Sequence, residues 1–209
     1  DGYGLRAARA IDKHSPRTDN RWRVATSRRA TGSFELDGNR MSAPATPSTE
    51  LGDAFRKAMR RIASTVSVIT AADSGQRHGM TVTSVTSVSM NPPSLLTCIN
   101  QKTKLHRLLL LSDMFCVNVL HREHVDLSQA FSGGRPHEER FASGEWASDA
   151  AGIPYLVDAQ ANLFCRRTAF VSYGTHTIFI GEVEHVAIRE RIDPLVYLDA
   201  VYTVASRET

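Results

Sequence analysis

His78-Gly79-Met80-Thr81-Val82-Thr83-Ser84-Val85-Thr86-Ser87-Val88-Ser89-Met90-Asn91-Pro92-Pro93 is the stretch on which the fold turns. Val recurs through it and six positions are Thr or Ser, residue types that suit a pleated, half-buried surface. The composition predicts one strand from His78 to Met90, stopped by Asn91-Pro92-Pro93 because proline cannot donate to a ladder. Hydroxyls also decorate the solvent face of a strand. On an inward face they need partners, since an unpaired buried hydroxyl costs about 1–3 kcal/mol. Gly79 lets a ligand approach the backbone, and the proline stop frees the end of the strand. Such a bed suits a ligand with an edge of hydrogen-bonding groups and a polar tail.

Upstream, Leu51, Phe55, Met59 and Ile62 fall four, four and three apart, which predicts a helix from about Gly52 to Ala63. Asp53 near its start and Arg60 and Arg61 near its end suit the helix dipole. Thr65 to Ala71 alternates as a strand, and Ser74-Gly75-Gln76 supplies a turn. Downstream, Ser94 to Asn100 reads as a strand, Thr103 as the cap of a helix through Leu111, and Met114 to Leu120 as a third strand. A helix is expected from Glu123 to Phe131 with Val125, Leu127 and Phe131 inward, ended by Ser132-Gly133-Gly134-Arg135-Pro136. The region to Gly152 reads as an irregular loop over the site, where Phe141 and Trp146 either close the site or pack in the core. Ala159 to Tyr173 and His176 to Ile188 form a long hairpin about Gly174, and Leu195 to Ala205 closes the chain. Short antiparallel strands with a few helices predict a mainly β protein, a Greek-key antiparallel β-barrel, over a doubly wound sheet. Neither GxGxxG nor GxxxxGK[ST] occurs.

With 209 residues, 42% of them hydrophobic and 22% charged, the chain fits one globular domain plus an appendage. Residues 1–50 read as a disordered leader or added extension, with Met41 resembling a native start, and 51–209 as the folded domain. The formal charge of +3 is unevenly spread. Residues 1–40 hold nine Lys or Arg against five Asp or Glu, leaving sixteen against seventeen for the body. The near-neutral body gives no argument for nucleic-acid binding. No apolar run approaches the roughly eighteen residues of a membrane helix. Cys98, Cys116 and Cys165 are widely spaced without CxxC, so free thiols in a reducing cytoplasm are expected. His121 and His124 with Asp126 could suggest a metal site, but two histidines three apart at a helix start read better as a solvated face, and no metal is expected.

Gly79-Met-Thr-Val-Thr-Ser84, Ser87-Val-Ser-Met-Asn-Pro-Pro93, Cys98-Ile-Asn-Gln-Lys-Thr103, Phe115-Cys-Val-Asn-Val-Leu120, Phe131-Ser-Gly133, Glu139-Arg-Phe141 and Tyr173-Gly-Thr-His-Thr-Ile-Phe-Ile-Gly-Glu182 occur in this order. Together they resemble the flavin-reductase-like, FMN-binding split-barrel family. Members include the reductase components of two-component monooxygenases acting on 4-hydroxyphenylacetate, phenols and chlorophenols, and the reductase of pyrimidine utilisation. The resemblance runs from about Phe55 to Ala205.

It implies a cytoplasmic homodimer that binds FMN or FAD, reduces it with NADH or NADPH, and supplies diffusible reduced flavin to a separate monooxygenase. Thr81, Val82, Thr83 and Ser84 would line the isoalloxazine. Ser87 and Ser89, with Val88 between them, would face the ribityl chain and phosphate. Asn100, Lys102 and Thr103 would hold phosphate at a helix start, and Phe131 joins the flavin-binding set. Gly174, Thr175 and His176, with Tyr202, would meet the nicotinamide, His176 orienting its carboxamide as the catalytic residue. Thr175 stands where many relatives have Asp, and Ala200 at a position in the final strand that is often Arg. With only Lys102 and Lys104 near the phosphate elements, moderate flavin affinity and ready release are expected. The competing readings on this fold are a flavin-binding electron carrier without turnover, and an oxidase of the pyridoxamine-phosphate type, which needs a basic phosphate site not seen in the sequence.

Overall fold

The computed structural model describes residues 49–206. The leader expected over residues 1–50 lies outside them except for Thr49 and Glu50. In chain order the elements are α1 (Thr49–Met59), β1 (Ser64–Thr65), β2 (Ser67–Asp73), β3 (Gln76–Val82), β4 (Val85–Met90), β5 (Pro93–Asn100), α2 (Lys104–Leu111) and β6 (Met114–Val119). Then come α3 (Val125–Gln129) running into a π-helical turn (Ala130–Gly134), α4 (His137–Arg140), β7 (Trp146–Ser148), β8 (Pro154–Leu156), β9 (Ala161–Tyr173), β10 (His176–Ile188), β11 (Leu195–Leu198) and β12 (Val201–Val204).

The Thr/Ser stretch is two strands and not the single one expected. β3 pairs with β2, β4 pairs with β5, and Thr83-Ser84 joins them. The seven-stranded antiparallel sheet has the order β3-β2-β6-β9-β10-β5-β4, so these consecutive strands lie at its opposite edges. Val82 and Val85 are three peptide steps apart, about 11 Å at most. The sheet must therefore curl until its edges meet at Thr83-Ser84, which makes the mainly β antiparallel barrel expected of the sequence. The barrel stays split there because β3 and β4 do not pair with each other.

Ser84 explains the break. By register it stands opposite Cys98, one step beyond the Val85–Thr97 pair. Its side chain, and not its backbone, serves that position: Oγ accepts from the Cys98 N–H at 3.1 Å and donates to the Cys98 carbonyl at 3.1 Å. The peptide groups of Thr83 and Ser84 join neither ladder.

Inside the barrel Ile69, Ile99, Phe115, Val117 and Phe179 pack with Leu105, Leu108 and Leu109 of α2. That helix starts where the sequence indicates, with Thr103 Oγ1 accepting from the His106 N–H. β2 is buried on both faces. Val68 meets an outer layer of Leu127, Ala130, Phe131, Phe141 and Leu156. The β7–β8 strap is tied down by Asn118, whose side chain donates to the Val68 carbonyl (2.8 Å) and accepts from the Leu156 N–H (2.8 Å). The helix expected from Glu123 to Phe131 is shorter, since its last turn opens into the π-helical segment before Gly133 takes a φ of +111°. The first helix sits a few residues earlier than the apolar spacing suggests.

The chain's end is a hairpin and not one closing strand. Asp199 and Ala200 occupy its turn with φ of +48° and +66°, as a two-residue loop of the primed type requires. Ala200 is thus a turn residue, outside the strand in which its alignment with the family set it. β1, β11 and β12 form a small sheet attached to the barrel by a triangle of backbone bonds. Val66 donates to Leu195, Leu195 to Leu120 and Leu120 to Val66, each at 2.9 Å.

Candidate functional site

The open seam leads into a cavity of about 440 Å³, within the range of small-molecule and cofactor sites. Met80, Thr81, Val82, Thr83 and Ser84 line one side, Cys98, Asn100 and His176 a second, and Ser128, Ser132, Tyr197 and Tyr202 a third. The structure therefore brings Thr81, Val82, Thr83, Ser84, Asn100, His176 and Tyr202 together as expected of the sequence. Edge strands expose unpaired N–H and C=O groups, and here two such edges face one cavity, joined by the unladdered peptides of Thr83 and Ser84.

Several lining side chains are fixed by one another. Thr81 Oγ1 donates to the Ser128 carbonyl at 2.7 Å, and Ser128 Oγ lies 2.9 Å from the Tyr202 hydroxyl. Tyr197 and Tyr202 pack edge to face, their centroids 5.3 Å apart. The hydroxyl of Thr81 thus donates to protein.

His176 is placed by two elements. It stands opposite Asn100 in the β10–β5 register. Its carbonyl accepts from Gln101 Nε2 at 3.1 Å, while the Gln101 N–H donates to the Thr175 carbonyl at 3.0 Å. Gly174, with a φ of +55°, makes the tight turn that this docking needs. Thr175 Oγ1 lies 2.8 Å from His176 Nδ1, so Nε2 is the ring nitrogen left for a ligand. Gly174 and Thr175 shape the turn but do not line the cavity. Behind it, His106 Nε2 meets Thr177 Oγ1 at 2.8 Å, and burial holds the His106 imidazole below its ordinary pKa of 6.5.

A second cavity of about 400 Å³ adjoins the first through Met80 and Ser132. Thr103, Lys104, Arg135 and Arg140 line it. Arg135 and Arg140 thus join Thr103 and Lys104 at this cavity, cations that the sequence reading, with only Lys102 and Lys104 near the phosphate elements, did not name. Arg135 and Arg140 arrive from the loop after α3, over thirty residues away, so chain proximity could not reveal them. Arg140 is steadied by donating to the Gly79 and Arg135 carbonyls at 3.4 and 3.2 Å. Lys102 lines neither cavity, and its N–H closes the turn on Asn100 Oδ1 at 2.9 Å.

Ser87, Val88 and Ser89 also line neither cavity. The break at Thr83-Ser84 turns β4 away along β5, and Ser89 Oγ instead accepts from the Asn91 N–H at 3.0 Å. Gly79 lines the second cavity, and on its side-chain face it packs on Phe131: a Cβ there would lie 2.6 Å from the ring. Phe131 walls the second cavity, while Phe141 and Trp146 pack on it at 5.1 and 5.2 Å as core. Met80, Cys98, Ser128 and Tyr197 escaped the sequence reading because nothing in their spacing separates them from ordinary core residues. His121 and His124 face carboxylates, with His124 Nε2 3.1 Å from Asp158. Among the described residues no group of three or more His, Cys, Asp or Glu could hold a metal, and no helix is long and apolar enough to cross a membrane.

Residues 59–206 match the family described as flavin reductase like domain. The chain is 52% identical over 158 residues to the reductase component of FADH(2)-dependent resorcinol hydroxylase from Rhizobium sp. (strain MTP-10005), covering 75% of this chain and 88% of that protein. It is 38% identical over 148 residues to the FMN reductase (NADH) RutF of Variovorax paradoxus (strain S110), covering 71% and 82%. Among solved structures, the flavin reductase PheA2 in its native state superposes with a TM-score of 0.67 at 34% identity, covering 74% of this chain and 98% of that one. BorF, the flavin reductase component of a bacterial two-component tryptophan halogenase, gives 0.69 at 28% identity, covering 75% and 99%.

Proposed function

The chain belongs to the flavin reductase-like domain family, and from that premise we propose that it is an NAD(P)H-dependent flavin reductase. It takes FMN or FAD into the split between β3 and β4, reduces it with a nicotinamide hydride, and releases it to a separate flavin-dependent monooxygenase. The observation that carries this is the pair of free peptides at Thr83 and Ser84, facing a cavity of about 440 Å³. A flavin's pyrimidine edge alternates acceptors and a donor, the pattern that open strand edges match. Its phosphate suits the adjoining cavity, where Lys104, Arg135 and Arg140 gather beside the capped start of α2.

The flavin, when bound, supplies the hydride-accepting ring, and the chain supplies geometry. Thr83 and Ser84 would hold one edge of the ring, and Tyr197 and Tyr202 would wall it on the facing side of the cavity. His176, with Nε2 free, orients the donor's carboxamide and does not abstract a proton. Lys104 and Arg135 are exposed, so their hold on phosphate is screened by salt and permits exchange. NADH is the donor best supported, being the one in the name of the RutF relative. The resorcinol hydroxylase relative supports a hydroxylase as the consumer of reduced flavin.

A homodimer is supported by the exposed Phe170, Val171 and Tyr173 on β9 and Met90 on β4. A cytoplasmic location is supported by three free cysteines.

The test is an anaerobic matrix of NADH and NADPH against FMN, FAD and riboflavin at catalytic protein concentration. Multiple turnovers with free flavin are expected; a single turnover without exchange would favour an electron carrier instead. His176→Ala should slow hydride transfer or weaken nicotinamide binding. Unchanged values of both would remove His176 from the mechanism.

A further inference from the structure

Gln101 follows β5 and precedes the cap of α2, and it lines neither the flavin cavity nor the phosphate cavity. Its hydrogen bonds nevertheless converge on the peptides around His176. The main-chain N–H donates to the Thr175 carbonyl at 3.0 Å, just before the histidine. The side-chain amide donates to the His176 carbonyl at 3.1 Å and to the Thr177 hydroxyl at 3.4 Å, at the histidine and just after it. One residue thus brackets three in succession.

The Thr177 end of the bracket is itself anchored. Thr177 is fully buried, and its Oγ1 lies 2.8 Å from His106 Nε2 and 3.2 Å from Ser172 Oγ. A hydroxyl has one hydrogen and two lone pairs, so Gln101, His106 and Ser172 together use all it offers. His106 is buried in the first turn of α2, where its N–H donates to Thr103 Oγ1 at 3.2 Å and its ring meets Phe179 edge to face at 5.6 Å. A chain of polar contacts therefore runs from the start of α2 through Thr177 and Gln101 to the turn that places His176 at the flavin cavity.

The fold alone does not call for this chain. The β10–β5 ladder already reaches His176 opposite Asn100, and the Gln101 main chain serves Thr175. The Gln101 side chain is half-buried, and a neutral hydrogen bond there contributes only modestly to stability. What the amide adds is a fixed place for the His176 peptide, and so for the imidazole it carries.

We propose that Gln101, anchored through Thr177 and His106, is a positioning residue that holds His176 where it meets the hydride donor. The inference rests on the reductase reading above. A misplacement of about 1 Å caused far from the reacting atoms can cost a hundredfold in rate, so loss of this support is felt at His176 without touching the flavin.

Gln101→Met keeps the length of the side chain and the main-chain bond, and removes only the amide donor. Its kcat/KM for NADH should fall about tenfold while the KM for FMN stays unchanged. In a His176→Ala background the same substitution should change kcat/KM by less than about twofold, because residues that act through one another are not additive. Thr177→Val should act as Gln101→Met does, and Thr177→Ser, which keeps the hydroxyl, should stay near wild type. Gln101→Met carries the test even if Thr177→Val fails to fold. Two-bond nitrogen–proton NMR correlations of the His176 ring need no turnover, and they should shift in Gln101→Met. Unshifted ring signals overturn the proposal. Where His176→Ala impairs NADH turnover, an unimpaired Gln101→Met, or one whose fall persists without His176, overturns it too. Shifted ring signals in a protein whose His176→Ala variant keeps wild-type NADH kinetics would instead remove His176 from hydride transfer and leave the positioning standing.

Discussion

Ser84→Ala probes the split itself. The hydroxyl makes two hydrogen bonds, to the N–H and the carbonyl of Cys98, each at 3.1 Å. Each contributes about 0.5–1.5 kcal/mol net, and the half-buried Cys98 N–H loses its partner without full access to water. The loss in stability should be about 2 kcal/mol, or a fall in Tm of roughly 4–8 °C for a domain of this size. Flavin affinity should fall as well. Without the hydroxyl, the Ser84 backbone is drawn toward Cys98 and one peptide group leaves the cavity, which weakens FMN binding by about tenfold. Urea melts give the first quantity and quenching of FMN fluorescence the second. Ser89→Ala is the control, since its Oγ accepts a single bond from Asn91 at an exposed site and should cost under about 0.5 kcal/mol. If Ser84→Ala changes stability by no more than the control and leaves FMN affinity unaltered, the seam is not held open by this side chain.

Gly79→Ala should destabilise by about 2–3 kcal/mol in denaturant melts, because the new methyl would lie 2.6 Å from a Phe131 ring already boxed in by Phe141 and Trp146. Burial lowers the pKa of His106 and of His121, the latter helped by Arg189, below the ordinary 6.5. The unfolded chain therefore takes up protons first, so the stability of these sites is full above pH 6.5 and is lost as pH falls toward the folded values. The acid limb of a stability profile should be shallower in His106→Gln/His121→Gln. Iodoacetamide should label Cys98 in the native protein and spare Cys116 and Cys165, since burial raises both of the latter thiols, Cys165 to about 12. FMN should slow the labelling of Cys98, as peptide mapping by mass spectrometry would reveal.

What the sequence disclosed and what it hid follow from the range of the interactions. The hairpin about Gly174, the Thr103 cap and the barrel class depend on neighbours in sequence, and these were legible. Thr81 to Ser84 and His176, named through the family resemblance, are gathered at one cavity. The strand break was hidden, since Thr83 and Ser84 have the same strand preference as their neighbours. It arises from the hydroxyl of Ser84 meeting Cys98, fourteen residues away. Ser87, Val88 and Ser89, which the family resemblance sets toward the ribityl chain and phosphate, line neither cavity, because the break turns β4 away along β5. Arg135 and Arg140 were missed for a related reason: their loop is located by packing of Phe131 and Phe141, which no local pattern reports. Gly79 is similar: the close approach it allows is legible, but the aromatic ring from a distant turn that packs on it is not.

The split barrel has a consequence for handling the protein. A closed barrel has no free edges, whereas here β3 and β4 each keep one. Open edges invite pairing with strands from other molecules. A ligand seated between them would act as a plug against such mispairing, so the flavin that serves as reactant should also guard against aggregation. Expression in flavin-poor cells, or prolonged dialysis, should yield turbid samples that added FMN keeps clear, even though hydride transfer plays no part in that protection.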